Sequence, residues 1–458
     1  MKKLLIVLTI ATITLSCKNE VPNDLTVFSG EITNIIDDKI ILANHDNSQR
    51  DTIAVSEAGK FLDTLKISTG SYLVTYGKIF MRVHLEPASH LNITFDTKDF
   101  KNSLNFSGEG AAVNTYLQDK IKREREMMGS FEEFYSLDEV EFKKKANDIK
   151  TSMEQFIDDQ MNISDDFKKK ENRNIGHEFI AKLLGYEKSH SYVIKVPEFK
   201  VSTDFLPEMT GFDYNNSEDF NFSGSYRRLV SSHFRETAKN ISDSENLEED
   251  VAYLKVVSES PNQEIKNKLL FDEAKSGISY TANLEDYYDV YIKASTDKKN
   301  NEIITESYHK LRTVAKGMPS PKFFDYENND GSKTSLDDLK GKYIYVDVWA
   351  TWCGPCIKEI PSLKRVEKEY HGKNIEFLSV SIDKQSDHGK WKKMIVDENL
   401  GGIQVLADNA WESQFVQDYL IMGIPRFILL DPEGNIVTAN APRPSDDKLI
   451  DLFNELNI

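Results

Sequence analysis

Two cysteines three positions apart, Cys353 and Cys356, carry the most specific chemical signal in the sequence. They follow a β-prone run, residues 343–350 (YIYVDVWA), and precede a predicted helix over residues 357–370. Unpaired N–H groups and the dipole at the start of a helix favour a thiolate, so Cys353 is the expected attacking sulfur. Cys356 lies in the first turn, close enough to close a small disulfide. The pair therefore predicts thiol–disulfide exchange through a mixed disulfide.

Two other interpretations of the cysteine pair are weaker. A zinc ion normally takes four ligands, and this chain of three cysteines has no second pair to supply them. Its nine histidines are scattered without the spacing of a metal-binding helix. A purely structural disulfide across so short a loop would add little stability. We therefore expect no metal, and no cofactor beyond the redox-active cysteine pair.

Two acidic residues near the cysteines are candidates for a supporting role. Asp347 interrupts the apolar run six positions before Cys353, and burial among its neighbours should raise its pKa. From there it could lie behind the disulfide and move protons for Cys356. The alternative is an outward-facing acid on an edge strand. Glu359, one helical turn after Cys356, could modulate the same thiols, although an ordinary solvated acid is nearly as plausible.

Residues 346–356 (VDVWATWCGPC) closely resemble the active-site signature of the thioredoxin family. The resemblance implies that Asp347 is the buried active-site acid and that Trp352 precedes the nucleophile. It also implies that Pro361 kinks the active-site helix. The dipeptide Ile424-Pro425 would match the family's cis-proline, whose preceding backbone pairs with a substrate strand. Proline before a strand does not by itself predict a cis bond.

The subfamily resembled is that of the TlpA/ResA-like extracytoplasmic reductases. Lys358-Glu359 and an extra segment at residues 386–408 carry this likeness, and in those proteins a glutamate at the Glu359 position is associated with tuning the cysteine pair. The whole chain resembles their multidomain lipoprotein versions. The likeness is strong over about the last third and only architectural before it. A peroxiredoxin is disfavoured, because no Pro-x-x-x-Thr-x-x-Cys pattern surrounds Cys353.

The first 17 residues have the pattern of a secretory signal peptide, with two lysines, an apolar run over residues 4–15 and a small residue before Cys17. The apolar run is shorter than the roughly 20 residues of a membrane-spanning helix. Cys17 resembles the acylated cysteine of bacterial lipoproteins, although Thr14 stands where an aliphatic residue is usual. We expect a lipid-anchored protein of the cell envelope that faces the periplasm, at the outer membrane.

The rest of the chain changes character twice. Residues 18–108 contain short β-branched and aromatic runs between turn residues, which predicts a small antiparallel β domain. Apolar residues recur at helical spacing over residues 109–316, which predicts a helical middle domain. Residues 317–458 alternate strands and helices around the cysteine pair, which predicts a thioredoxin-like α/β domain. The predicted fold is thus multidomain.

Composition and motif together favour an enzyme. The formal net charge of −18 argues against nucleic acid as a partner, because phosphate contacts need a basic surface. The expected function is extracytoplasmic thiol–disulfide oxidoreduction, acting on protein thiols and disulfides. The Gly-Pro dipeptide between the cysteines favours a reductase, which would need an upstream membrane electron donor. The alternatives are a binding or assembly lipoprotein with an accessory redox module, and a disulfide isomerase.

Overall fold

The computed structural model describes residues 24–44 and 48–458. The chain folds as two compact units, and the boundary between them falls between Val230 and Ser231, inside the predicted helical region. The predicted signal peptide, residues 1–17, and Cys17 lie outside the described residues. Of the helices in the described part, none is long and apolar enough to cross a membrane.

The first unit begins with two four-stranded sheets. Their strands are β1 (Leu25–Thr33), β2 (Lys39–Asn44), β3 (Arg50–Ala54), β4 (Lys60–Lys66), β5 (Gly70–Tyr76), β6 (Ile79–Leu85), β7 (His90–Asp96) and β8 (Asn105–Ser107). One sheet has the order β4-β1-β7-β8 and the other β3-β2-β5-β6. Alternate residues of each strand enter one shared apolar core.

This β domain was predicted, but some of its details differ. The β-branched run at residues 32–42, whose pattern predicts one strand, is split between β1 and β2. No pattern predicts β4, because its sequence, KFLDTLK, carries few apolar residues. The pairing is antiparallel except between β1 and β7, which run parallel. Parallel pairing of strands far apart in sequence is not visible in a local pattern.

Helices follow the sheets. They are α1 (Phe100–Ser103), α2 (Ala111–Met128), α3 (Phe131–Tyr135), α4 (Glu139–Asp158), α5 (Asp165–Ile194), α6 (Ser217–Phe222) and α7 (Gly224–Glu245). The predicted apolar positions Ile149, Met153 and Ile175 are buried in one cluster with several aromatic rings. The helical character of this stretch is confirmed. The division of the chain at residues 108 and 316 stays a prediction.

The second unit contains further helices and the C-terminal α/β domain. The helices before that domain are α8 (Glu249–Ser258), α9 (Gln263–Gly277), α10 (Leu284–Ala294) and α11 (Lys298–Arg312). The domain has strands β9 (Tyr326–Asn328), β10 (Lys333–Thr334), β11 (Tyr343–Trp349), β12 (Ile375–Ser381), β13 (Ile403–Leu406), β14 (Arg426–Leu430) and β15 (Ile436–Thr438), and helices α12 (Gly354–Glu369), α13 (His388–Asp397), α14 (Gln414–Asp418) and α15 (Lys448–Glu455).

The seven strands form one mixed sheet in the order β10-β9-β13-β12-β11-β14-β15. β11 lies inside the sheet, parallel to β12 and antiparallel to β14, so the edge-strand interpretation of Asp347 is wrong. Side chains alternate along β11, and Tyr345 packs with Leu363 of α12 and with Phe453 of α15. Asp347, two residues on, lies on that same helix-covered face.

Two sequence predictions in this domain need correction. β13 was not predicted, because only four residues form it and a glycine pair precedes them. The sequence pattern of residues 411–420 predicts one helix, but the structure has a 3₁₀ turn, Ala410–Glu412, followed by the short helix α14. The thioredoxin-like alternation of strands and helices is otherwise confirmed.

Candidate functional site

The cysteine pair lies where β11 ends and α12 begins. Cys353 and Cys356 form a disulfide with a Cα–Cα distance of 5.3 Å. Cys353 is also the N-cap of α12, since the backbone N–H of Cys356 donates a hydrogen bond to Cys353 Sγ at 3.1 Å. Each cysteine is only 4% exposed. When the disulfide is opened, the N–H groups of this first turn are placed to stabilise a thiolate on Cys353.

Asp383 holds the loop that precedes the cysteines. Its buried carboxylate accepts hydrogen bonds from the backbone N–H of Thr351 at 2.9 Å and from the Thr351 hydroxyl at 2.7 Å. The hydroxyl of Ser381 donates a third bond at 2.8 Å. Sequence reasoning missed Asp383. A signal was present, because this acid follows β12, and parallel neighbouring strands end at the same edge of a sheet.

Asp347 lies below the disulfide on β11. It is half-buried and lines a small internal cavity together with Cys356. Loss of solvation, together with the nearby charges of Glu367 and Glu359, raises the pKa of its carboxyl to about 8. A carboxyl with this pKa can gain or lose a proton near neutral pH, which is the range that a thiol partner requires.

The cavity beside Asp347 is polar at several points. Its volume is about 10 Å³, which is close to the space that one water molecule needs. Trp349 and Gln404 line it, and neither Trp349 Nε1 nor Gln404 Oε1 has a hydrogen-bond partner among the described residues. Buried polar atoms without a partner are costly, which favours a bound water in this region. Such a water could also carry a proton between Cys356 and Asp347.

Glu367 is a second acid on this cavity that sequence reasoning missed. Burial, partly offset by the nearby positive charge of Lys364, raises its pKa to about 7. The signal was its position on α12. Cys356, Ile360, Leu363 and Glu367 follow one another at spacings of four, three and four residues, which places an acid on the buried apolar face of the helix.

Glu359 faces a different neighbour from the one expected. Its carboxylate accepts hydrogen bonds from the backbone N–H of Ser445 at 3.1 Å and from the Ser445 hydroxyl at 2.9 Å. Arg443 Nη1 lies 3.8 Å from Glu359 Oε1. The negative charge of Glu359 helps to raise the pKa of Asp347, and a role in tuning the cysteines stays a prediction.

The remaining predicted residues surround the disulfide or support its helix. The peptide bond between Ile424 and Pro425 is cis, as the family resemblance implied, and it leads directly into β14. Trp352 is 54% exposed, with its ring 6.3 Å from that of Trp411. Pro361 lies inside α12. The roles of these residues in catalysis or client binding stay predictions.

Comparison with known proteins places the similarity in this domain. Residues 315–452 match a family model described as Redoxin. The chain is 27% identical over 144 residues to "Thiol-disulfide oxidoreductase ResA" of Bacillus subtilis (strain 168), which covers 31% of this chain and 76% of the relative. It is 30% identical over 123 residues to "Thioredoxin-like protein YneN" of the same organism, which covers 27% of this chain and 69% of the relative.

A solved structure shows a similar extent of likeness. The crystal structure of the thioredoxin domain of a thiol-disulfide oxidoreductase from Bacteroides vulgatus is 33% identical, with a TM-score of 0.28. The alignment covers 31% of this chain and 98% of that one. Each of these three matches covers under a third of the present chain.

Proposed function

Through its C-terminal domain, the chain belongs to the thioredoxin-like thiol-disulfide oxidoreductases, and we propose that it reduces disulfides of client proteins outside the cytoplasm. The observation that carries the proposal is the Cys353–Cys356 disulfide at the start of α12, directly above the cavity that Asp347 lines. This arrangement combines a site for a thiolate with an acid that can exchange a proton near neutral pH.

In the proposed reaction the reduced Cys353 thiolate attacks one sulfur of the client disulfide. The client S–S bond breaks, a mixed disulfide with Cys353 forms, and the departing client sulfur takes a proton from solvent. Cys356 then attacks Cys353 Sγ, which closes the intramolecular disulfide and releases the second client thiol. The client gains two electrons and the chain loses two. A dithiol donor from the membrane must supply two electrons before the next cycle.

Asp347 is proposed as the proton acceptor for Cys356. The second step requires Cys356 to lose its proton as its sulfur attacks. Asp347 and Cys356 line one cavity of about one water's size, so the transfer can pass through a single water. With a pKa of about 8, only about a tenth of the Asp347 carboxyl is ionised at pH 7, and this ionised form accepts the proton. Once the disulfide has formed, the same raised pKa keeps the proton on the carboxyl.

Client binding is proposed at the exposed side of the disulfide. Trp352 offers an exposed aromatic surface beside Cys353. The Ile424 backbone, held by the cis bond to Pro425, would pair with an extended client segment, as the family resemblance implies. Both features suit a protein substrate, because a strand supplies a row of backbone groups for pairing.

The cellular setting is proposed from the start of the sequence. The signal-peptide pattern of residues 1–17 and the resemblance of Cys17 to an acylated cysteine support a lipid-anchored protein in the periplasm, at the outer membrane. The reductase direction is supported by the Gly354-Pro355 dipeptide, since thioredoxin with the same dipeptide has a potential of about −270 mV.

Trapping of a client intermediate tests this function. Reduced full-length Cys356→Ser protein, mixed with insulin as a disulfide probe, should form a covalent adduct at Cys353 that dithiothreitol releases. Cys353→Ser is the matched control, because it keeps Cys17 and Cys356 but lacks the attacking sulfur, and it should form no adduct. Absence of any adduct with Cys356→Ser, together with client binding that survives loss of both cysteines, would contradict the proposal and favour a binding protein.

A further inference from the structure

The loop between α9 and α10 contacts the active-site region of the C-terminal domain. This loop contains Ser279 and Tyr280, which we call the 279–280 loop. The hydroxyl of Tyr280 donates a hydrogen bond to the carbonyl oxygen of Gly423 at 3.0 Å. Gly423 directly precedes the Ile424–Pro425 cis bond, so a helical segment 143 residues earlier in sequence is bound to the segment expected to receive the client.

Two further side chains of the C-terminal domain hold the backbone of this loop. Arg426 Nη2 donates a hydrogen bond to the carbonyl oxygen of Ser279 at 2.5 Å. Asn440 Nδ2 donates one to the carbonyl oxygen of Tyr280 at 2.6 Å. The Arg426 guanidinium also lies 4.5 Å from the centre of the Tyr280 ring. The loop is therefore bound on both sides of the cis-proline, through its backbone and its ring.

The burial of Arg426 shows that this contact is part of the fold. Arg426 is only 1% exposed, and burial lowers the pKa of its guanidinium to about 10, so it remains charged at neutral pH. A buried cation is costly unless polar groups compensate for lost water. The Ser279 carbonyl and the Tyr280 ring provide such compensation. Loss of the loop would leave this charge poorly compensated beside Pro425.

We propose that Tyr280 is a positioning residue for the active site, which fixes the Gly423–Ile424 segment in the position that receives a client strand. This inference rests on the proposed reductase function and extends it. The Gly423 carbonyl oxygen already accepts a hydrogen bond from the Tyr280 hydroxyl. The backbone of a client strand would therefore pair from Ile424 onward and not with Gly423. The Tyr280 ring, 37% exposed, forms the adjacent wall. The class of substrate selected is an extended protein segment that passes this ring.

The test compares a protein disulfide with a small one. Tyr280→Phe removes the hydroxyl and keeps the ring over Arg426. Loss of one hydrogen bond should lower the rate constant for insulin reduction by about two- to tenfold, mainly through KM. The rate constant with the small disulfide 5,5′-dithiobis(2-nitrobenzoate) should stay within about twofold, because attack on it needs no strand pairing. The redox equilibrium with dithiothreitol should not change.

A matched control and a second variant keep the test independent of folding. Tyr288→Phe also removes a tyrosine hydroxyl from the helical segment, one bonded to Thr305, and should leave insulin reduction unchanged. Gly423→Ala approaches the contact from the other side, because a Cβ there would lie 2.9 Å from the Tyr280 hydroxyl oxygen. It should slow insulin reduction in the wild-type background and have a smaller effect in Tyr280→Phe, which lacks that oxygen.

The outcomes separate this inference from the function on which it rests. A wild-type protein that reduces insulin and a Tyr280→Phe variant with unchanged KM would overturn the inference alone. Equal slowing of insulin and the small disulfide would also overturn it, since that result indicates a general disturbance of the dithiol. A wild-type protein that reduces neither substrate would contradict the proposed function and the inference with it.

Discussion

Asp347 and Glu367 line the same small cavity beneath Cys356, although one belongs to a central strand and the other to the third turn after the cysteine on α12. Burial raises the pKa of Asp347 to about 8 and that of Glu367 to about 7. The negative charge of Glu367 also raises the pKa of Asp347. The Asp347 carboxyl therefore keeps a proton below the disulfide over most of the neutral pH range.

Asp347→Asn should slow the step in which Cys356 resolves the mixed disulfide. The amide cannot accept the Cys356 proton, and a positioned base is typically worth about 10²- to 10⁴-fold, so we expect at least about a tenfold loss at pH 7. The first attack by Cys353 should change less. Stopped-flow fluorescence with a pre-formed mixed disulfide separates the two steps. Asp397→Asn, at an exposed acid of the same domain, is the control, and equal rates for Asp347→Asn and wild type would exclude Asp347 as the acceptor.

Asp347 should also make the oxidised domain less stable as pH rises. Its pKa is about 8 in the folded chain, whereas the ordinary pKa of an aspartate is 3.8, so between these values the folded state holds a proton that the unfolded state has released. The free energy of unfolding therefore falls from about pH 4 to pH 8. Asp347→Asn should remove this loss and be more stable than wild type by about 1–5 kcal/mol at pH 8, with little difference at pH 4.

Urea unfolding followed by tryptophan fluorescence measures this effect in the right part of the chain. The four tryptophans lie at positions 349, 352, 391 and 411, all in the C-terminal domain. Glu367 also lowers the free energy of unfolding as pH rises, because its pKa is raised in the folded chain. The stability of Asp347→Asn should therefore keep some pH dependence. A variant that is less stable than wild type at pH 8 would show that the Asp347 carboxylate is stabilised in the fold, contrary to this account.

Glu367→Gln should shift the pH dependence of the resolving step to lower pH. Removing its negative charge makes ionisation of Asp347 easier, so the midpoint should fall by a few tenths of a pH unit to about one unit. The rate at pH 7 should change less than in Asp347→Asn. Glu369→Gln, an exposed acid two residues along the same helix, should leave the midpoint unchanged. A shift to higher pH would contradict the placement of Glu367 beside Asp347.

Asp383→Ala should destabilise the active-site loop. Three donors from Thr351 and Ser381 would lose their buried acceptor, and an unsatisfied buried donor costs about 1–3 kcal/mol. We expect a loss of about 2–4 kcal/mol in the free energy of unfolding of the C-terminal domain. The same fluorescence titration measures it, with Asp397→Ala as the exposed control. A loss below about 0.5 kcal/mol would mean that water replaces the carboxylate at no cost.

The local part of this site could be predicted from the sequence, because its signals lie within a few residues of one another. A carboxyl inside a continuous apolar run, as at Asp347, indicates burial, and cysteines at a strand-to-helix junction indicate a thiolate site. The cis bond before Pro425 followed only from the resemblance to thioredoxin. Glu367 was recognisable in principle from the periodicity of α12, but it lies eleven residues after Cys356.

Other features depend on contacts that no local pattern encodes. Tyr280 contacts Gly423 because α9 and α10 pack against the C-terminal domain. The sequence around Tyr280 carries no signal for a contact with a residue 143 positions later. The parallel pairing of β1 with β7 likewise joins segments about sixty residues apart. Glu359 could have faced the cysteines or a neighbour, and only the position of Ser445 decides this. Long-range packing, not propensity, determines these relationships.

The redox potential of the Cys353–Cys356 pair distinguishes a reductase from an oxidant. It is measured by equilibrating the full-length protein in dithiothreitol buffers and quantifying the oxidised fraction through thiol alkylation, with the Cys356→Ser variant as the blank. The account predicts a two-electron potential near that of thioredoxin, about −270 mV, as expected for a reductase. A potential near that of DsbA, about −120 mV, or a disulfide that does not equilibrate with dithiothreitol, would contradict it.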